Sequence, residues 1–185
     1  LYAAHKEQLE RQRTNPCELR RFHGTSLAPG CSFGLDVTQP PCTDPTCAVC
    51  TICATSFDLR LAGSASRGGT TFFRYGRGLY FSRISSKSND YAALSERHTP
   101  HSLRIGNYRL MFMCKVAAGA VHRACEAMLD EAQVDELVAA RGHGGQFDSI
   151  VGLDTRNGGQ INHEETVVYE NEAAIPSYLI VYRLP

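Results

Sequence analysis

The 185-residue sequence lacks an excess of either charge, because 19 Lys and Arg residues balance 19 Asp and Glu residues. A chain without net charge has no strong overall field that would draw it to nucleic acid or to anionic lipid. The sequence also lacks a hydrophobic run of the roughly 20 residues that a membrane-spanning helix needs, and residues 1–13 lack the apolar core of a signal peptide. We therefore expect no membrane partner.

Four arginines nevertheless lie close together near the start of the chain: Arg11, Arg13, Arg20 and Arg21. Such a group could form a local basic patch for nucleic acid even in a neutral protein. A short run of like charge is more often the solvated side of an element. We interpret these arginines as the solvated end of a helix.

Common enzyme motifs are also missing. The sequence contains no phosphate-binding Gly-x-x-x-x-Gly-Lys-Ser/Thr loop, no His-Glu-x-x-His zinc motif and no Gly-x-Ser-x-Gly nucleophile turn. Gly76-Arg77-Gly78 lacks the third glycine of a dinucleotide-binding turn and runs into aromatic residues. These absences exclude the usual Rossmann, P-loop and metalloprotease interpretations.

Cysteine is abundant, with eight residues, four of which fall between Cys42 and Cys53. They lie too close together for four separate disulfides to distant strands, and such spacing suits a metal site in a reducing compartment. We therefore expect an intracellular protein, nuclear or cytoplasmic. Residues 28–55 are otherwise rich in Pro, Thr and Gly. Because long irregular segments need something to hold them, bound zinc would explain this one.

Five cysteines compete for the four places of a zinc site. Cys47-x-x-Cys50 has the spacing of a zinc knuckle, and Cys53 makes a second such step. Because Cys53 leads into a predicted strand at residues 54–57, we assign it to the core. The preferred zinc ligands are Cys31, Cys42, Cys47 and Cys50. Four thiolates leave no open position for water, so the site would be structural.

Hydrophobic and aromatic periodicity predicts an α+β protein of a single domain, residues 1–185, with a cysteine-rich insert at about 31–53. Residues 1–13 favour a helix, and residues 85–94 a second one capped by Ser85 or Ser86. We predict a strand that ends near His23 and further strands at residues 72–81, 108–116, 147–152, 166–169 and 178–183. Residues 61–71 are small and are interpreted as a loop over a site.

Three segments together resemble one enzyme family. They are Phe22-His23-Gly24-Thr25, then Tyr75 to Ser82 continuing through Ser86-Lys87-Ser88-Asn89-Asp90-Tyr91, and then Glu165 to Tyr169 followed by Pro176-Ser177-Tyr178-Leu179. Their order and separation resemble the catalytic domain of poly(ADP-ribose) polymerases, which shares its core with diphtheria-toxin-like ADP-ribosyltransferases. The last segment resembles the tankyrase version. The resemblance covers nearly the whole chain, and it implies a fold of split mixed and antiparallel β-sheets with a few flanking helices.

The resemblance also implies roles for individual residues on NAD⁺, the co-substrate. His23 would bind the ribose on the adenosine side, and Glu165 would hold a hydroxyl of the nicotinamide ribose. Residues His23, Tyr80 and Glu165 would form the catalytic set. The donor-binding set would be His23, Gly24, Thr25, Tyr80, Ser88 and Tyr91.

Within the donor-binding set, the backbone of Gly24 and the hydroxyl of Ser88 would bind the nicotinamide carboxamide. Tyr91 would stack on one face of the ring and Tyr80 would close the other. The loop at residues 61–71 takes the place of the family's donor-site loop. Glu164 and Glu172 compete with Glu165 for the catalytic role, but counting back from Pro176 places the family's glutamate at Glu165.

The function implied is cleavage of NAD⁺ at its nicotinamide glycosidic bond and transfer of ADP-ribose, as one unit or a chain, to a protein or nucleic-acid acceptor. An NAD⁺ glycohydrolase that releases free ADP-ribose is one alternative. A binding module that holds NAD⁺ or ADP-ribose without turnover is another. We expect a monomer with structural zinc.

Overall fold

A computed structural model describes residues 1–13, 15–63, 72–92 and 108–184. Its helices are α1 (Tyr2–Arg13), α2 (Ala48–Thr55), α3 (Ser85–Asn89) and α4 (Glu131–Leu137). Its strands are β1 (Glu18–Gly24), β2 (Leu79–Ser82), β3 (Tyr108–Ala117), β4 (Val121–Ala124), β5 (Ser149–Gly152), β6 (Glu165–Val168) and β7 (Ala174–Arg183). The predicted donor-site loop lies outside the described residues from position 64 onward, as do residues 93 and 94 of the second predicted helix.

Within the described part of the chain the strands form one seven-stranded sheet in the order β4-β5-β6-β2-β1-β3-β7. Strands β4 and β5 are parallel, and the other neighbours are antiparallel. None of the described helices is long and apolar enough to cross a membrane. The predicted α+β class and its mixed, mainly antiparallel sheet are confirmed.

The sheet is weakly joined in its middle. Among the described residues, Phe22 and Ser82 are the one pair in register between β1 and β2. By contrast, β1 pairs with β3 along its whole length, and β2 does so with β6. We call the junction between β1 and β2 the seam. It divides the sheet into one half made of β4, β5, β6 and β2 and another made of β1, β3 and β7.

Alternation along the strands builds a core on each side of the sheet, since successive side chains point to opposite faces. On one face Phe81, Phe112 and Val168 pack beneath the cysteine-rich segment and α2. We call this the cysteine face. On the other, which we call the α4 face, Val167 packs with Tyr75 and with residues of α4 and β5. Strand β3 is the apolar run predicted for a buried strand.

Two predictions near the cysteines are wrong. The chain from residue 48 to 55 is helical, so the strand predicted at residues 54–57 does not form. Helix α2 turns Val49, Cys50 and Ile52 into the core, which leaves Cys53 exposed rather than buried. The predicted serine cap of α3 is also wrong, because Ile84 occupies the N-cap position.

Candidate active site

The end of β1 meets α3 at a contact that admits only glycine. A Cβ on Gly24 would overlap the backbone carbonyl of Ser88 and would lie 3.1 Å from the Cβ of Tyr91. Glycine is the residue that permits such an approach between two backbones. The structure thus brings together three predicted donor-site residues. Ser88 is buried at this contact, whereas 59% of Tyr91 is exposed.

His23 lies on the cysteine face, where its ring packs edge-on against Phe57 with centroids 5.2 Å apart. Its Nδ1 lies 2.9 Å from the carbonyl oxygen of Tyr80, across the seam. A carbonyl only accepts, so Nδ1 carries the proton and Nε2 is left as an acceptor in the neutral ring. Burial lowers the pKa of His23 and favours this neutral form. Thr25, two residues further along, is buried.

Tyr80 is held at both its ring and its hydroxyl. The hydroxyl donates to the carbonyl of Gly76 at 2.8 Å and accepts from the N–H of Tyr75 at 3.0 Å. The ring stacks on Phe73, with centroids 5.8 Å apart and planes inclined by 22°. Burial raises the pKa of Tyr80, so the phenol is neutral. No role was predicted for Phe73 from the sequence. Its position in the aromatic run before Gly76 was the one feature that could have indicated a contact with Tyr80.

Glu165 begins β6, where it lies opposite Ser82 in register. It is buried, and its Oε1 is 3.3 Å from Nζ of Lys87. Lys87 also donates to the hydroxyl of Tyr91 at 3.4 Å. Burial alone would lower the pKa of Lys87, but the Glu165 carboxylate and Tyr91 raise it above its ordinary value. Lys87 stands within the recognised sequence segment, but no role was predicted for it.

Glu164, the main competitor of Glu165, occupies a different environment. Its Oε1 pairs with Nη2 of Arg21 at 3.1 Å, and both side chains are nearly buried, with 13% of Arg21 and 12% of Glu164 exposed. Because neighbouring residues on a strand point to opposite faces, Glu165 is directed away from this pair. Arg20 and Arg21 both lie on β1 rather than at a helix end, so their interpretation as a solvated helix end is wrong for both; Arg20 is exposed, as expected, but Arg21 is not.

The four preferred cysteines form a compact group, in which the sulfur atoms of Cys31, Cys42, Cys47 and Cys50 all lie within 4.8 Å of one another. The Sγ atoms of Cys31 and Cys50 are 3.6 Å apart, and the N–H of Cys42 donates to Sγ of Cys50 at 3.2 Å. Zinc–sulfur bonds of about 2.3 Å would place tetrahedral ligands about 3.8 Å apart. The group therefore fits a zinc ion, and Cys53 lies outside it.

A cavity of about 350 Å³ lies at the end of β2 and β6 that is remote from Glu165, lined by Leu59, Arg60, Arg77, Arg141 and Tyr169. Its arginines are already engaged. Arg60 pairs with Asp58, Arg141 pairs with acidic residues of α4, and Arg77 donates to the backbone of Arg60. None of the predicted site residues lines this cavity.

Comparison with protein families gives one finding. The family model described as the poly(ADP-ribose) polymerase catalytic domain matches residues 46–184, three quarters of the chain. The matched span includes Tyr80, Ser88, Tyr91 and Glu165, and it begins after His23. Proteins with this domain use NAD⁺ as their substrate. With its mixed sheet and the recognised segments gathered around β1, β2 and β6, this chain belongs to the poly(ADP-ribose) polymerase catalytic domain family of ADP-ribosyltransferases.

Proposed function

We propose that this chain cleaves NAD⁺ at the nicotinamide glycosidic bond and transfers ADP-ribose, as one unit or several, to a macromolecular acceptor. The observation that carries the proposal is a continuous set of contacts around the seam. Gly24 touches Ser88 and approaches Tyr91, and Lys87 links Tyr91 to Glu165. These contacts support the proposal, because they bring the residues that would hold a flat ring close to a buried carboxylate.

The leaving group would bind at the contact between Gly24 and Ser88. The backbone of Gly24 and the hydroxyl of Ser88 would hold the carboxamide, with Thr25 beside them. Tyr91, which is largely exposed, would stack on one face of the ring. Tyr80 would close the other face, and its fixed hydroxyl supports this role because the ring is already oriented before NAD⁺ arrives.

Glu165 would act on the ribose that joins nicotinamide. Its carboxylate holds a ribose hydroxyl and stabilises the positive charge that develops as the C1′–N bond breaks. The bonding electron pair leaves with nicotinamide. The acceptor oxygen or nitrogen then bonds to C1′, and its proton passes to Glu165 or to water. Lys87, 3.3 Å from the carboxylate, would orient it.

His23 would accept a hydrogen bond from the adenosine-side ribose through Nε2. We expect NAD⁺ affinity to be constant above about pH 6.5, the ordinary pKa of histidine, and to fall at lower pH once His23 gains a proton. The lowered pKa places this loss below pH 6.5, because burial opposes the charged ring. Calorimetric titration with NAD⁺ across this range checks it. His23→Ala should bind more weakly and lose that pH dependence, and an unchanged Michaelis constant would count against the ribose role.

The proposed activity is tested by nicotinamide release from NAD⁺ labelled in its adenylate half. We expect release, with the label recovered on protein or nucleic acid. Recovery as free ADP-ribose would instead identify a glycohydrolase. A folded, zinc-loaded chain that binds NAD⁺ and releases nothing would contradict the proposal and favour a binding module.

We further propose that residues 1–185 act as one catalytic domain and that the insert at about 31–53 holds a structural zinc ion. Cys31, Cys42, Cys47 and Cys50 would be its ligands, and the ion would supply a cross-link rather than a reaction step. We also propose that the segment from Glu165 to Leu179 is of the tankyrase type.

A further inference from the structure

Arg21 connects the two halves of the sheet. It lies on β1, and its guanidinium donates from Nε to the hydroxyl of Thr166 at 3.0 Å and from Nη2 to Glu164 at 3.1 Å. Both acceptors belong to the other half, beyond β2, at a separation of two strand spacings or roughly 9.6 Å. The side chain therefore spans the seam, where the described residues provide a single backbone pair in register, Phe22 with Ser82.

The two acceptors of Arg21 flank the proposed catalytic carboxylate in sequence. Glu164 precedes Glu165 and Thr166 follows it, and both turn to the face opposite to the Glu165 side chain. Thr166 is fully buried, and Glu164 is nearly so. Arg21 thus binds the side chains of the residues on both sides of Glu165, and its own hydrogen bonds do not involve the Glu165 carboxylate.

We propose that Arg21 is a positioning residue, which fixes the two halves of the sheet across the seam and thereby aims Glu165 at the NAD⁺ ribose. The inference rests on the proposed function. His23 and Gly24, which would hold NAD⁺, belong to the same half as Arg21, whereas Glu165 belongs to the other. A shift between the halves would therefore separate the bound substrate from the carboxylate.

The chemistry of arginine suits this role. Its planar guanidinium presents donors in a fixed fork, so it can bond two acceptors at a set angle, whereas an ammonium group acts as a single point charge. A third N–H of Arg21 donates to the carbonyl of Arg20 at 3.1 Å, which ties the fork to its own strand. Arg21→Lys therefore keeps the positive charge but loses the paired hydrogen bonds to Thr166 and Glu164.

The test is steady-state nicotinamide release from NAD⁺ by the parent chain and by Arg21→Met and Arg21→Lys. We expect Arg21→Met to lower kcat by ~10- to 100-fold, the loss that follows a displacement of about 1 Å, with KM within ~3-fold of the parent. Arg21→Lys should recover little of kcat. The matched control is Arg20→Met, which removes the same charge from an exposed position of β1 and should behave as the parent.

A double variant separates positioning from stability. Removing both partners of a buried ion pair is often nearly neutral for stability, whereas removing one is not. Arg21→Met with Glu164→Met should therefore regain much of the unfolding midpoint lost in Arg21→Met, while kcat stays low. Recovery of kcat together with the midpoint would overturn the inference, as would full activity of Arg21→Met or Arg21→Lys. Absence of release by the folded parent would refute the proposed function itself, and this inference with it.

Discussion

Replacement of Glu165 by glutamine is expected to slow nicotinamide release by ~100- to 1,000-fold, the range seen when one electrostatic stabiliser of a transition state is removed. Glutamine keeps the size of the side chain and a hydrogen-bonding oxygen but removes the negative charge. That charge matters most as the C1′–N bond breaks, so NAD⁺ affinity should change little. Measuring kcat by nicotinamide release and Kd by calorimetry distinguishes the two effects.

Two neighbouring glutamates provide the controls for this experiment. Glu172→Gln, in the short helical turn after β6, should leave kcat unchanged. Glu164→Gln should lose less activity than Glu165→Gln, because glutamine can still accept from Arg21. Parental activity in Glu165→Gln would show that the catalytic assignment is wrong. Loss in Glu164→Gln alone would transfer the role to Glu164.

Loss of the cysteine group is expected to have the second large effect, on folding rather than on chemistry. Protein purified without chelator should contain one equivalent of zinc, by atomic emission spectroscopy. Cys47→Ser or Cys50→Ser should lower the free energy of unfolding by more than about 4 kcal/mol, as loss of a metal ligand in a core does. Both residues are buried, and the binding energy of a structural zinc ion is part of the folding energy.

Cys53→Ser is the matched control for the zinc ligands, because Cys53 is in the same helix as Cys50 but is exposed and lies outside the sulfur group. It should leave both the zinc content and the unfolding midpoint unchanged. Substoichiometric zinc, or parental midpoints in Cys47→Ser and Cys50→Ser, would contradict the metal site.

Substitution of a cysteine in the proposed zinc-binding group should also disturb the donor site. Helix α2 begins directly after Cys47, and the chain leaves it through Ser56 to Phe57, whose ring packs on His23 at 5.2 Å. Phe57 also packs edge-on against Phe81 of β2. The cysteine-rich segment therefore supports, through Phe57, the ring that would bind the adenosine-side ribose.

The sequence was informative where local chemistry decides the structure. The apolar run at β3 and the helix formers of α1 leave short-range signals, whereas the importance of Gly24 followed only from the resemblance to a family. Helix α2 was not predicted. Its Cys, Thr and Ala residues follow a stretch rich in Pro and Cys, and together they resemble an irregular segment. Metal-type spacing identified the four clustered cysteines but could not decide where Cys53 points.

Long-range pairings could not be read from the sequence. Arg21 and Glu164 are separated by 143 positions, and nothing in the segment that contains Arg20 and Arg21 marks one arginine as buried. The contact of Lys87 with Glu165 depends likewise on how α3 is placed against β6. These side chains acquire their roles from the order of strands across the sheet, which periodicity alone does not specify.

Under the proposed function, the carboxamide of the leaving group would bind at the seam. Continuing the register from Phe22 and Ser82 would set Gly24 opposite Tyr80, two residues along and therefore at the same type of pair in the antiparallel ladder. The carbonyl oxygen of Tyr80 instead accepts a hydrogen bond from the His23 ring. The backbone pairing between β1 and β2 therefore does not continue to Gly24. Under the proposed function, the backbone N–H and C=O of Gly24 would bind a ligand group that resembles a peptide group. A primary carboxamide could pair with both groups of Gly24, because it carries a donor and an acceptor, whereas a carboxylate, which only accepts, could pair with the N–H alone.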